Sequence, residues 1–155
     1  MNKKFIFALT SIFAILLTSC KSQNTNQNLS AKDIADKIIH EIGKDSMTQI
    51  PSEKIENYYD TDTNKLDDFC IYIEASGAFA DEIAVFKAKS KDDVKAVEDS
   101  ITDRIESQKK AFDGYNAKEF SKLEDNLVTE NGNYVLFVVS DNNDKAKEIF
   151  QKAFK

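Results

Sequence analysis

The chain has 155 residues, with 27 Asp and Glu against 21 Lys and Arg, and a formal net charge of −6. An acidic balance of this kind argues against nucleic acid as a partner and against electrostatic docking on anionic lipid. One histidine leaves no second imidazole for a zinc site or a paired proton relay.

Lys3 and Lys4 precede a short apolar run, Phe5 to Leu17, which Thr10 and Ser11 interrupt and small Ser19 follows. A spanning helix needs about 20 apolar residues, so the run is too short to cross a bilayer and reads as a signal peptide. Its end, Leu17-Thr18-Ser19-Cys20, resembles a bacterial lipobox. That resemblance implies a diacylglyceryl group on Cys20, cleavage between Ser19 and Cys20, and a mature chain beginning at residue 20. The expected organisation is a signal peptide at 1–19, a lipidated cysteine and polar tether at 20–29, and one globular domain at 30–155. Removing 19 of 155 residues leaves 136, enough for one core, and losing Lys3 and Lys4 takes the charge from −6 to −8. Lipid rather than charge must then hold the protein to the extracytoplasmic side of the cell membrane, and two acyl chains suffice for stable anchoring. Cys70 is left without a disulfide partner. The tether KSQNTNQNL has no aromatic residue and no period, and its stretched limit is about 30 Å.

Downstream, Ser30 and Asp33 resemble a capping box, Ile34, Ile38 and Ile42 share one face, and Gly43 can close the helix in the left-handed conformation. Pro51-Ser52-Glu53 opens a short second helix. FCIYIEA at 69–75 alternates and EIAVFKA at 82–88 is apolar and β-branched, which predicts a hairpin through SGAFAD. Ser90 and Asp93 cap a helix to about Phe112, with Val94, Val97, Ile101 and Ile105 as its apolar stripe and Lys109 and Lys110 near its end. A short helix follows Asn116. LVTE, Asn131-Gly132 and NYVLFVVS then predict a second hairpin through a type I′ turn, and YVLFVV, apolar on both faces, reads as a central strand. Ala146, Ile149, Phe150 and Ala153 give a last helix. The expected fold is α+β: a four-stranded, mostly antiparallel sheet of two hairpins, with the long helix packed across one face and shorter helices flanking it.

The stretch GAFADEIAVFKAKSKDDVKAVEDSITDRIESQKKAFDGY, followed by KLEDNLVTENGNYVLFVVSDN, is similar to the small bacterial lipoproteins that carry domain of unknown function 4358. The similarity covers about residues 30 to 153. It is most specific at Asp81 to Phe86, in the Arg104 to Phe112 run ending in Tyr115, and at Gly132 to Val135. It implies a fold and an envelope location but no activity.

No catalytic constellation is legible, and the expected protein is not an enzyme and takes no cofactor. His40 near a helix end reads as a surface residue, and Cys70 inside an alternating strand reads as a buried thiol. The loop YDTDTNKLDD alternates oxygen ligands, but it lacks the glycine and terminal glutamate of an EF-hand, so a solvated acidic loop is expected and no metal. Asp81 and Glu82 are adjacent and point to opposite faces of a strand; Glu82 is expected on the strand's edge or paired with Arg104, the only arginine. Phe79 in the SGAFA loop, with Asp81 and Glu82, forms the candidate partner contact. The reading is a membrane-anchored, extracytoplasmic, non-catalytic lipoprotein that binds an unknown envelope protein or acts as a scaffold. The alternative is a small solute or cation, which a pocket lined by Tyr58, Tyr59 and Tyr72 would support.

Overall fold

A computed structural model describes residues 28–155 of the chain. The expected signal peptide, the cleavage point between Ser19 and Cys20, and most of the tether lie outside the described residues. Helix α1, Ala31–Ile42, starts where the Ser30 hydroxyl accepts from the amides of Lys32 and Asp33, and it stops at Gly43, whose φ of 73° is the left-handed conformation that favours glycine. Strand β1, Thr48–Gln49, and two 3₁₀ turns at Ser52–Asn57 and Thr63–Lys65 lead to β2, Leu66–Ile73, and β3, Glu82–Ala88. Then come α2, Lys91–Phe112, α3, Ala117–Glu124, β4, Leu127–Asn131, β5, Tyr134–Val139, and α4, Asn143–Lys152.

The sheet is antiparallel throughout, in the order β1-β2-β3-β5-β4. It has five strands rather than the expected four, because Thr48 pairs with Ile73 and Gln49 with Tyr72. Two exposed residues offer no alternation that could announce a strand. The helix expected after Pro51 is a 3₁₀ turn. The 22 residues of α2 extend about 33 Å, no more than the usual width of a small domain. Ser90 precedes α2 in an extended conformation, but its hydroxyl donates to the Asp93 carboxylate at 2.6 Å rather than capping a backbone amide.

The second hairpin is displaced by one residue from the expected type I′ turn. Asn131 pairs with Tyr134, so the two turn residues are Gly132 and Asn133. Only glycine takes positive φ among the described residues, and Gly132 does so at 63°. Glycine first and an ordinary residue second is the pattern of a type II′ turn.

Helices cover both faces of the sheet. On one side α2, α3 and the first 3₁₀ turn bury Ile71, Ala84, Phe86, Val135, Phe137 and Val139. On the other α1 and α4 bury Cys70, Ile83, Val85, Leu136 and Val138. This explains why β5 is buried along its whole length. Each buried phenylalanine of these layers contributes about 2 to 3 kcal/mol.

The two ends of the sheet differ. The described chain enters at one end, where the Tyr134 hydroxyl donates to the Leu29 carbonyl at 2.8 Å, the Ala31 amide donates to Asp68 at 2.7 Å, and Lys87 reaches the Asn28 side chain. At the other end lie the β2–β3 loop, the start of β3 and the last turns of α2, which together line a cleft.

Candidate functional site

Glu82 opens β3 on the face that α2 covers, and it is 3% exposed. Arg104 follows Ile101 by three positions, so it shares the inward stripe of α2 and reaches the strand. Its Nε and Nη2 donate to Glu82 Oε2 at 3.0 and 2.9 Å. The Tyr59 hydroxyl donates to Glu82 Oε1 at 2.5 Å. The guanidinium lies 5.3 Å from the Tyr58 ring centre. With the Gln108 amide turned oxygen-inward, that oxygen accepts from Arg104 Nη1 at 2.7 Å. Burial opposes the charge on Arg104, but the adjacent Glu82 carboxylate outweighs it and holds the guanidinium above its ordinary range. Burial, reinforced by Glu82, pushes the Tyr59 hydroxyl well above the tyrosine range, which keeps it a donor.

Asp81 serves a separate set. Its Oδ2 accepts from Lys122 Nζ at 2.8 Å, and Lys44 Nζ lies 2.7 Å from Oδ1. Lys122 also meets Glu119 at 2.8 Å, and Glu119 accepts from the Ala80 amide at 2.8 Å. Burial works to raise the Asp81 pKa, yet the bonds from Lys122 and Lys44 prevail and lower it. Two lysines and two carboxylates therefore clamp the end of the SGAFAD loop, and the loop's final residues are held from both sides of the sheet.

Above this floor the cleft has a volume of about 340 Å³ and is lined by Tyr58, Phe112 and Tyr115 and by the chain from Glu74 to Ala80, where Glu74 accepts from Ser76. Two aromatic rings stand at its rim: Phe79 is 52% exposed and Tyr115 is 70% exposed. Among the expected contact residues, Phe79 is thus presented to solvent, whereas Asp81 and Glu82 are buried and already paired. The expected Glu82–Arg104 pair is present, and the two carboxylates do turn to different partners.

The Tyr58, Tyr59 and Tyr72 lining does not assemble. Tyr58 lines the cleft and Tyr59 is buried beneath it, but the Tyr72 hydroxyl donates to Asp36 of α1 on the opposite side of the sheet. The acidic loop is also divided: Asp62 caps the second 3₁₀ turn and Asp68 holds the Ala31 amide. Among the described residues no three His, Cys, Asp or Glu side chains are placed to hold a metal ion. His40 is exposed and lies 3.3 Å from Asp45. Cys70 is buried, and burial pushes its thiol up to about 11.

The buried Glu119 and Lys122 were not singled out from the sequence. Their signal was the spacing 119, 122 and 123, which puts both charged groups on the face that buries Leu123. A larger hollow near α3 and the start of α4 has lysines 118, 122 and 145 facing aspartates 125, 141 and 144, so it presents no charge of one sign.

The family model for domain of unknown function DUF4358 matches residues 40–140. The chain belongs to this family. The DUF4358 match is narrower than the resemblance over 30 to 153: it leaves out most of α1 and all of α4, yet it contains the whole sheet and every residue of the cleft. No curated protein and no solved structure matches the chain. Among the described residues of this DUF4358 protein, no helix is long and apolar enough to cross a membrane.

Proposed function

We propose that the protein is a lipid-anchored, extracytoplasmic, non-catalytic domain that docks an envelope protein through its Phe79 loop. Anchoring rests on the Leu17-Thr18-Ser19-Cys20 motif, with the lipid on Cys20. Docking rests on one observation above the others: Phe79 and Tyr115 both line, and stand exposed at, a cleft whose floor is locked by buried ion pairs. Covering a half-exposed aromatic ring contributes about 1 to 2 kcal/mol, and aromatic residues beside a packed pocket dominate the energy of protein contacts. Asp81 and Glu82 act as supports in this reading. Their carboxylates hold the loop, and Phe79 makes the contact.

Photocrosslinking in cells tests it. A photoreactive residue in place of Phe79 should join the anchored chain to one defined protein, and the same group at exposed Glu130 should not. Equal products from both positions would count against the loop. Cys20→Ala should release the protein from the membrane fraction and remove lipid labelling; retention of the variant would sink the anchor.

A further inference from the structure

We infer that the cleft beside Phe79 and Tyr115 receives a basic side chain, a lysine or arginine of the docked protein, whose charge meets Glu74 and whose stem lies against the two rings. This deepens the docking reading and rests on it for the source of the side chain; the charge of the occupant rests on the cleft alone.

At the cleft every carboxylate but one has a cation. Glu82 is matched by Arg104, and Asp81 and Glu119 are matched by Lys122 and Lys44. Glu74 lines the same cleft, yet among the described residues no lysine, arginine or histidine lies within ion-pair distance of it. The cleft therefore carries one carboxylate more than its cations balance.

The loop fixes this carboxylate without neutralising it. The Glu74 amide donates to the Asp81 carbonyl at 3.0 Å, which closes the β2–β3 loop at its base. Glu74 Oε2 accepts from the Ser76 amide at 3.1 Å and from the Ser76 hydroxyl at 2.5 Å. Both donors are neutral and both use Oε2, so Oε1 is left for a ligand. Phe79 stands two residues before Asp81, and the closed loop thus carries the carboxylate and an exposed ring together.

Other occupants leave part of this surface unanswered. A neutral apolar side chain would cover Glu74 without giving it a partner, and a desolvated, unpaired carboxylate outweighs the gain from covering a ring. An anion would meet Glu74 while the only arginine is already forked onto Glu82 through Nε and Nη2. A metal ion needs several oxygen ligands, and no three ligating side chains converge among the described residues. A lysine or arginine satisfies both features: its head group donates to Glu74, and its alkyl stem covers apolar ring surface. The head group also gains from lying over an aromatic face. Arg104 already makes this contact within the protein, 5.3 Å from the Tyr58 ring centre, which leaves Phe79 and Tyr115 for the incoming cation. A volume of about 340 Å³ admits one such side chain rather than a folded element.

The test selects short, random, phage-displayed peptides on the full chain. The expected enrichment is for sequences with a central lysine or arginine, with retention falling about fivefold on Glu74→Gln and on Tyr115→Ala. Acidic or uncharged consensus sequences, no enrichment, or retention indifferent to Glu74→Gln overturn the inference. Glu130→Gln removes the same charge from exposed surface at the other end of the sheet and should change nothing. An equal loss there would assign the attraction to general acidity and overturn the site. Melting midpoints check that each variant is folded. Tyr115 is 70% exposed, so if Glu74→Gln does not fold, Tyr115→Ala decides alone, and unchanged retention overturns the inference. Free n-butylammonium should compete only weakly; binding as tight as that of the selected peptides would make a free amine the occupant and overturn the docked side chain. In cells, Glu74→Gln should weaken the crosslink from position 79 by a similar factor. A crosslink to one protein that persists undiminished keeps the docking reading and overturns the basic side chain. Peptide selection as expected with no cellular crosslink upholds the chemistry of the cleft and overturns the docking.

Discussion

Arg104 is the chain's single arginine, and the fold sets it against a carboxylate that is almost fully desolvated. Its planar fork meets Glu82 through two nitrogens while its face lies over Tyr58, a geometry that an ammonium cannot reproduce. Glu82→Gln should destabilise the protein by about 3 to 5 kcal/mol, because it leaves a buried guanidinium without its counter-charge. Arg104→Lys keeps the charge and loses the fork, so its cost should be smaller, about 1 to 2 kcal/mol. Denaturant unfolding of both variants measures the difference; equal losses, or Glu82→Gln within 1 kcal/mol of wild type, would mean the pair does not hold the cleft floor. This pair was legible in the sequence because both residues fall in the stretch that resembles the family and Arg104 is the only arginine. The Asp81, Lys122 and Glu119 set was not, because lysine and glutamate on a short helix ordinarily face water, and only the packing of α3 against the β2–β3 loop removes them from it.

Gly132 shows how a correct element can carry an incorrect turn. The dipeptide Asn131-Gly132 announced the β4–β5 hairpin, but pairing of Asn131 with Tyr134 moves the turn on by one residue, and glycine supplies the positive φ at its first position. An added β-carbon would meet nothing within 4 Å, so Gly132→Ala should cost only backbone strain, about 1 to 2 kcal/mol. Thermal unfolding checks this, and an unchanged midpoint would show that the turn tolerates an alanine at φ of 63°. α1, with its helical apolar face, and β3, a continuous apolar and β-branched run, were readable nearly to their ends. β1 was not, since two exposed residues pair only because β2 already offers an edge. Coverage of both sheet faces was likewise only partly legible: the alternation of β2 suggested one open side, and it is the docking of α1 and α4 that closes it.

Across the whole molecule, acid response separates general charge from the buried clamp. With a formal charge of −6, protonating exposed carboxylates first relieves self-repulsion, so stability should hold or rise slightly as pH falls from about 7 to about 5. Asp81 acts in the opposite sense. Its folded pKa lies below the ordinary value of 3.8, because the bonds from Lys122 and Lys44 prevail over burial. The stability it contributes is therefore fully present above 3.8 and is lost as pH falls through the depressed folded value. Asp81→Asn removes this linkage. The variant should be less stable than wild type by about 1 to 3 kcal/mol at neutral pH, with the gap narrowing once the pH is well below the ordinary carboxylate range. Denaturant titrations of both proteins at neutral pH and at about pH 2 measure the gap. A gap of the same size at both would show that the lysine clamp on Asp81 does not govern the acid limb, and would return that role to the exposed carboxylates.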